Sequence, residues 1–133
     1  MGLIIRRDEW LELDRPFSVW AYTVSFAQLL LRSPKDGRRT RVDIGFSGVK
    51  GVLLRPRFSS CVVRLADPSE IETVRGLLSL EELVPHEVWA VGEFDRPGFV
   101  VASSAEWQED SGEFTDPSGV FLPAGPFSGL ITE

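Results

Sequence analysis

The chain is poor in the residues that carry most covalent and metal chemistry. Its 133 residues include one cysteine, one histidine, one methionine and one tyrosine. A single thiol, Cys61, excludes an intramolecular disulfide, so the fold has to rest on its core. That thiol also suits a reducing compartment. One cysteine and one histidine are too few to build a transition-metal site. Cys61 and His86 would have to meet for nucleophilic catalysis, and nothing in their sequence positions favours that. No apolar run approaches the roughly 18 residues of a membrane-spanning helix. At the start, Arg6 and Arg7 follow a short apolar run, the reverse of a secretory signal. Arg6 also occupies the position where myristoylation needs Ser or Thr. A cytoplasmic location is therefore expected. Gly45, Gly48 and Gly51 lack the Lys-Ser/Thr of a phosphate-cradling loop, and the acids lack a calcium-loop pattern. No cofactor and no metal are expected.

What is present is apolar mass and unevenly placed charge. A hydrophobic fraction of 43%, with four Trp and nine Phe, is enough for one core, and residues 1–133 read as a single domain. Residues 1–65 carry twelve basic and six acidic side chains, a net +6. Residues 66–133 carry fourteen acids against Arg75 and Arg96, a net −12. Either the two halves present opposite faces, or they interleave and neutralise one another. The run Lys35, Arg38, Arg39 and Arg41 has the charge to meet phosphate. Yet the net charge of −6 and the lack of interleaved aromatics argue against a nucleic-acid partner.

The pattern predicts a strand-rich chain. A short strand is expected within residues 2–6. Phe17 to Arg32 mixes β-branched and aromatic residues, with Trp20 and Tyr22 opposing Val19 and Ala21. That pattern fits two strands or one with a bulge, with Leu29-Leu30-Leu31 ambiguous between strand and helical turn. Ser33 to Gly37 is a turn. Val42, Ile44 and Phe46 give the clearest alternation, and Cys61, Val63 and Leu65 give another. Asp67-Pro68-Ser69-Glu70 is a helix start with capping-box spacing, followed by Ile71, Val74, Leu77 and Leu78. Ser79 to Glu82 repeats a capping spacing and suggests a second short helical turn running to Val84. Val88–Phe94 and Phe99–Ser103 read as paired strands joined by Asp95-Arg96-Pro97-Gly98, with Trp107 extending the second. From about residue 112 the chain is rich in Pro and Gly, and regular structure is expected to stop. The expected fold is α+β: an antiparallel or mixed sheet of about five to seven strands with one helix packed on it.

Two stretches carry a family resemblance. Residues 24–33, from Val24 through Leu-Leu-Leu-Arg-Ser, and residues 40–49, Thr-Arg-Val-Asp-Ile-Gly-Phe-Ser-Gly-Val, resemble small, uncharacterised bacterial β-rich proteins. Some of these are similar to immunity proteins of polymorphic toxin systems. The likeness covers about a third of the chain. Phe26 stands where such relatives would carry a polar residue, and no site residue is carried over. The resemblance implies an acidic binder that blocks a basic toxin.

The functional expectation is a non-catalytic protein-binding module for a basic protein. Its binding residues would be the acidic and aromatic group Glu106, Trp107, Glu109, Asp110, Glu113, Phe114 and Asp116. The bland alternative for that group is a solvated face. A second hypothesis is a small-molecule-binding protein or carboxylate-dependent enzyme, with a sheet cleft containing Tyr22, Asp43, Glu93 or Glu106. A third is homo-oligomerisation through the apolar C-terminal segment that holds Phe121, Leu122, Phe127, Leu130 and Ile131.

Overall fold

The structure, a computed structural model, describes residues 3–79, 83–113 and 115–120. Its strands are β1 (Leu3–Ile4), β2 (Leu11–Leu13), β3 (Phe17–Thr23), β4 (Gln28–Ser33), β5 (Arg41–Ser47), β6 (Gly51–Leu53), β7 (Arg57–Phe58), β8 (Cys61–Leu65), β9 (Val88–Glu93), β10 (Arg96–Val101) and β11 (Ser104–Asp110). One α-helix, α1, spans Pro68–Leu78. This is the expected strand-rich α+β fold, with its strands divided between two antiparallel sheets. One sheet has the order β1-β11-β5-β4-β3-β7, the other β2-β8-β9-β10-β6. No described helix is long and apolar enough to cross a membrane.

The two sheets face each other across the main core. Phe17, Leu29, Leu31, Ile44 and Phe46 come from the first sheet, and Cys61, Val63, Trp89, Val91 and Val100 from the second. Trp89 is fully buried, and its indole N–H donates to the Ala102 carbonyl at 3.0 Å. That bond removes the penalty of burying an unpaired donor.

Both sheets are also covered on their outer faces, which explains where simple alternation fails. Helix α1 begins with the anticipated capping box: Asp67 accepts from the Glu70 N–H, and Glu70 accepts from the Asp67 N–H. Its Ile71 and Val74 pack on Val88 and Val101 of the second sheet. Strand β9 is therefore buried on both faces, and it reads as the continuous run Val-Trp-Ala-Val. In the first sheet, a bulge between Val19 and Ala21 turns Ala21 to the outer face. There it meets Leu30 and Val120. The ambiguous leucines are thus strand residues of β4, with Leu29 and Leu31 in the main core and Leu30 beneath residues 115–120.

Three local expectations change. The β9–β10 turn is Phe94-Asp95, and Arg96, Pro97 and Gly98 lie within β10, with Pro97 opposite Gly92. Trp107 does not extend β10. It belongs to β11, which has crossed to the other sheet and pairs with β5. The second helical turn falls partly on residues outside the description; a 3-10 turn stands at Pro85–Glu87.

Candidate functional site

The acidic group singled out in the sequence lies on β11 and the segment after it. Glu106, Trp107, Glu109 and Asp110 are β11 residues, while Glu113 and Asp116 follow; Phe114 lies outside the described residues. Trp107 faces inward and packs against the main core. Asp110 is opposite Arg41 in the ladder, and its two oxygens accept from Arg41 Nε and Nη2 at 2.9 and 2.8 Å. Arg41 Nη1 donates to the carbonyls of Glu113 and Asp116, and Nη2 to that of Pro117. Lys35 pairs with Glu113 at 2.7 Å, and Thr40 donates to Glu109. The carboxylates of Glu109, Asp110 and Glu113 are thereby bound to basic and hydroxyl groups from the first half of the chain, while that of Asp116 accepts from the Glu113 N–H.

Beneath this segment lies a buried ionic row. Arg32 donates two bonds to Asp43, at 2.8 and 3.1 Å, and Arg41 stands 3.9 Å from the same carboxylate. Arg32, Asp43 and Arg41 are at most 2% exposed. A Cβ at Gly45 would overlap the Val120 carbonyl, so this glycine lets the chain lie directly on the sheet. In the sequence Arg41 reads as the end of a basic run with the charge to meet phosphate, whereas the structure buries it. The missed signal was its phase: Arg41, Asp43 and Gly45 alternate against Val42, Ile44 and Phe46 on one strand. The Arg41 guanidinium holds the Asp110 carboxyl below the ordinary carboxylate range.

Of the residues named for a cleft, Asp43 and Glu106 are diagonal neighbours on the paired strands β5 and β11, and the other two lie apart from them. Tyr22 packs on the main core, Asp43 is in the buried row, Glu106 is on β11, and Glu93 is at the end of β9. Cys61 is buried, and burial pushes its thiol up to about 12, far from the range of a reactive thiolate. His86 is exposed on the 3-10 turn, and no hydrogen bond joins it to Cys61.

Two surface features had no counterpart in the sequence expectations. The first is aromatic. Trp10 is 54% exposed and Phe94 67% exposed, with ring centroids 6.1 Å apart. The Arg64 guanidinium lies 5.3 Å from the Trp10 ring and is fixed by two bonds to Glu70. Glu70 is itself half of the α1 capping box, so the helix start orients the cation that backs Trp10. The pairing with Arg64 also holds the Glu70 carboxyl low.

The second feature is a groove of about 600 Å³ beside β6 and the β9–β10 hairpin. Buried Phe58, Val91 and Gly92 lie along it, with Val52, Leu54 and Pro97 beside them. Exposed Arg55 and Arg96 line it as well. Glu93 is the one carboxylate among its described lining residues, and its Oε2 accepts from Ser59 N–H and Oγ–H. Comparison with known proteins leaves the geometry to stand alone: no family model, no curated protein and no solved structure matches the chain at a significant level.

Proposed function

We propose that the chain is a non-catalytic protein-binding module, with Trp10 and Phe94 as its anchors and a basic protein as its partner. The observation that carries this reading is the exposed Trp10–Phe94 pair held in place by Arg64 and Glu70. Large exposed aromatics are costly to leave in water and supply much of the energy of protein association. Fixing them before binding lowers the ordering cost on association.

The basic partner follows from the surrounding charge. Glu9 and Asp95 neighbour the two aromatics in the chain, and Glu12 stands on β2 two residues beyond Trp10; all three are exposed and outnumber the exposed Arg96 beside Asp95. Arg64 is already neutralised by Glu70. An immunity-type role against a basic toxin, in the cytoplasm, fits this chemistry. The carboxylates of Asp110 and Glu113 contribute less to the reading, because Arg41 and Lys35 occupy them.

The test compares immobilised wild-type chain with a Trp10→Ala/Phe94→Ala double variant and a Glu109→Gln/Glu113→Gln double variant in lysate of the native cell. The expected result is a stoichiometric basic protein retained by wild type and by the glutamine variant. The aromatic variant retains roughly tenfold less or below. Circular dichroism confirms that each variant is folded. Equal retention by the aromatic variant, or no retained protein on any of the three, overturns the reading.

A further inference from the structure

We propose that the groove beside β6 and the β9–β10 hairpin is a second site, adjoining the Trp10–Phe94 pair, which takes a medium-chain fatty carboxylate. Its volume of about 600 Å³ falls in the range of small-molecule sites. Its accessible apolar surface comes from the half-buried Val52, Leu53, Leu54 and Pro97, with the core residues Phe58 and Val91 as its floor, and has the chemistry to cover an aliphatic chain.

The head group is specified by charge. Most basic side chains of the described protein have partners: Arg15, Arg32, Lys35, Arg41, Lys50 and Arg64 all hydrogen-bond to other residues. Arg6, Arg38, Arg39, Arg55, Arg57 and Arg96 make no side-chain hydrogen bond or salt bridge among the described residues, and of these Arg55 and Arg96 line the groove, where both are exposed. Both act on the Glu93 carboxylate through space and help to hold it low, yet their N–H donors stay open. Two guanidinium forks with open donors beside an apolar trough suit a carboxylate at the end of a hydrocarbon chain.

Glu93 is the opposing charge. Its Oε2 is engaged by both donors of Ser59, which ties it to the residue after β7. It therefore reduces, without cancelling, the excess of two cations over one anion along the groove. Gly98 lets β10 lie close against β6 at this wall of the groove: a Cβ there would overlap the Leu53 carbonyl and the Leu54 side chain. Together these features describe a hydrophobic slot with a cationic rim, with Glu93 as the one carboxylate among its described lining residues.

The test titrates the full chain with decanoate, below its micelle threshold, and follows backbone amide shifts by NMR. Decanol and acetate are titrated in parallel. The expected result is saturable decanoate binding with shifts centred on Leu54, Phe58, Val91 and Gly98. Decanol and acetate should each bind roughly tenfold more weakly or less, since each lacks one half of the recognised chemistry. A folded Arg55→Gln/Arg96→Gln variant should lose roughly tenfold in decanoate affinity. The Trp10→Ala/Phe94→Ala variant should bind decanoate as wild type does, which separates this site from the proposed protein-docking pair. Absence of decanoate binding, equal binding of decanol, unchanged affinity in the arginine variant, or shifts centred on Trp10 would each overturn the proposal.

Discussion

Arg41 concentrates the logic of this fold in one side chain. A guanidinium offers five N–H donors in a planar fork, and Arg41 makes five hydrogen bonds: two to the Asp110 carboxylate and three to the carbonyls of Glu113, Asp116 and Pro117. It is 2% exposed, so each donor would be costly if unpaired. Replacing it leaves Asp110 without its cation, while Asp43 keeps its two bonds from Arg32. Arg41→Ala is therefore expected to lower unfolding free energy by about 3 kcal/mol, read from urea denaturation at neutral pH. Arg41→Lys should restore only part of the loss, because one ammonium cannot span the carboxylate and three carbonyls. Equal stability of wild type and the alanine variant would show that the row is dispensable.

At the scale of elements, coverage on both faces decides what each strand looks like in sequence. Strand β9 carries four apolar residues in succession because the main core lies on one side and α1 on the other. Strand β4 does the same with its leucines because residues 115–120 cover its outer side. That cover depends on close contact, and Gly45 is where the contact is tightest. Gly45→Ala should lift the segment from the sheet while leaving the main core intact. Subtilisin nicking within residues 111–120 is expected to rise by about tenfold, as a loss of local closing energy would produce. The urea midpoint should move much less. An unchanged nicking rate would mean that the segment yields around the added methyl at no cost.

At the scale of the whole molecule, part of the uneven charge of the sequence is paired off within the fold. Lys35 with Glu113, Arg41 with Asp110 and Lys50 with Glu87 each join a base from the first half to an acid from the second. The acids in these and similar contacts have depressed titration points: Asp110 through Arg41, Glu70 through Arg64, Glu87 through Lys50, and Glu93 through the Ser59 N–H. A carboxyl held low when folded binds fewer protons than the unfolded chain as pH falls through the ordinary carboxylate range. Its stabilisation is full at neutral pH and is lost as the medium reaches the folded values. Stability should therefore be flat near neutrality and decline below about pH 4. Asp110→Asn should be less stable than wild type at pH 7, and the two should converge at acid pH, where both side chains are neutral. Urea midpoints from pH 3 to pH 8 check this, and a constant gap between the two proteins would refute the assignment to Asp110.

The sequence by itself determined the local choices. Asp67, Pro68 and Glu70 set the start of α1, Val42 to Phe46 set a half-apolar strand, and the crowding around Trp20 and Tyr22 marked the bulge in β3. These signals rest on steric and hydrogen-bonding preferences within a few residues, so they are visible in one dimension. Tertiary structure decided the division into two sheets, because crossovers such as the one between β10 and β11 depend on which partner strand is free to pair. It also decided that Arg41 is buried, that Trp10 and Phe94 share a surface, and that Arg55 and Arg96 line one groove. Each of those facts joins residues at least 40 positions apart, or depends on a segment laid over a sheet. No local preference encodes such a meeting, because its energy comes from desolvation and pairing that exist only after the sheets have closed.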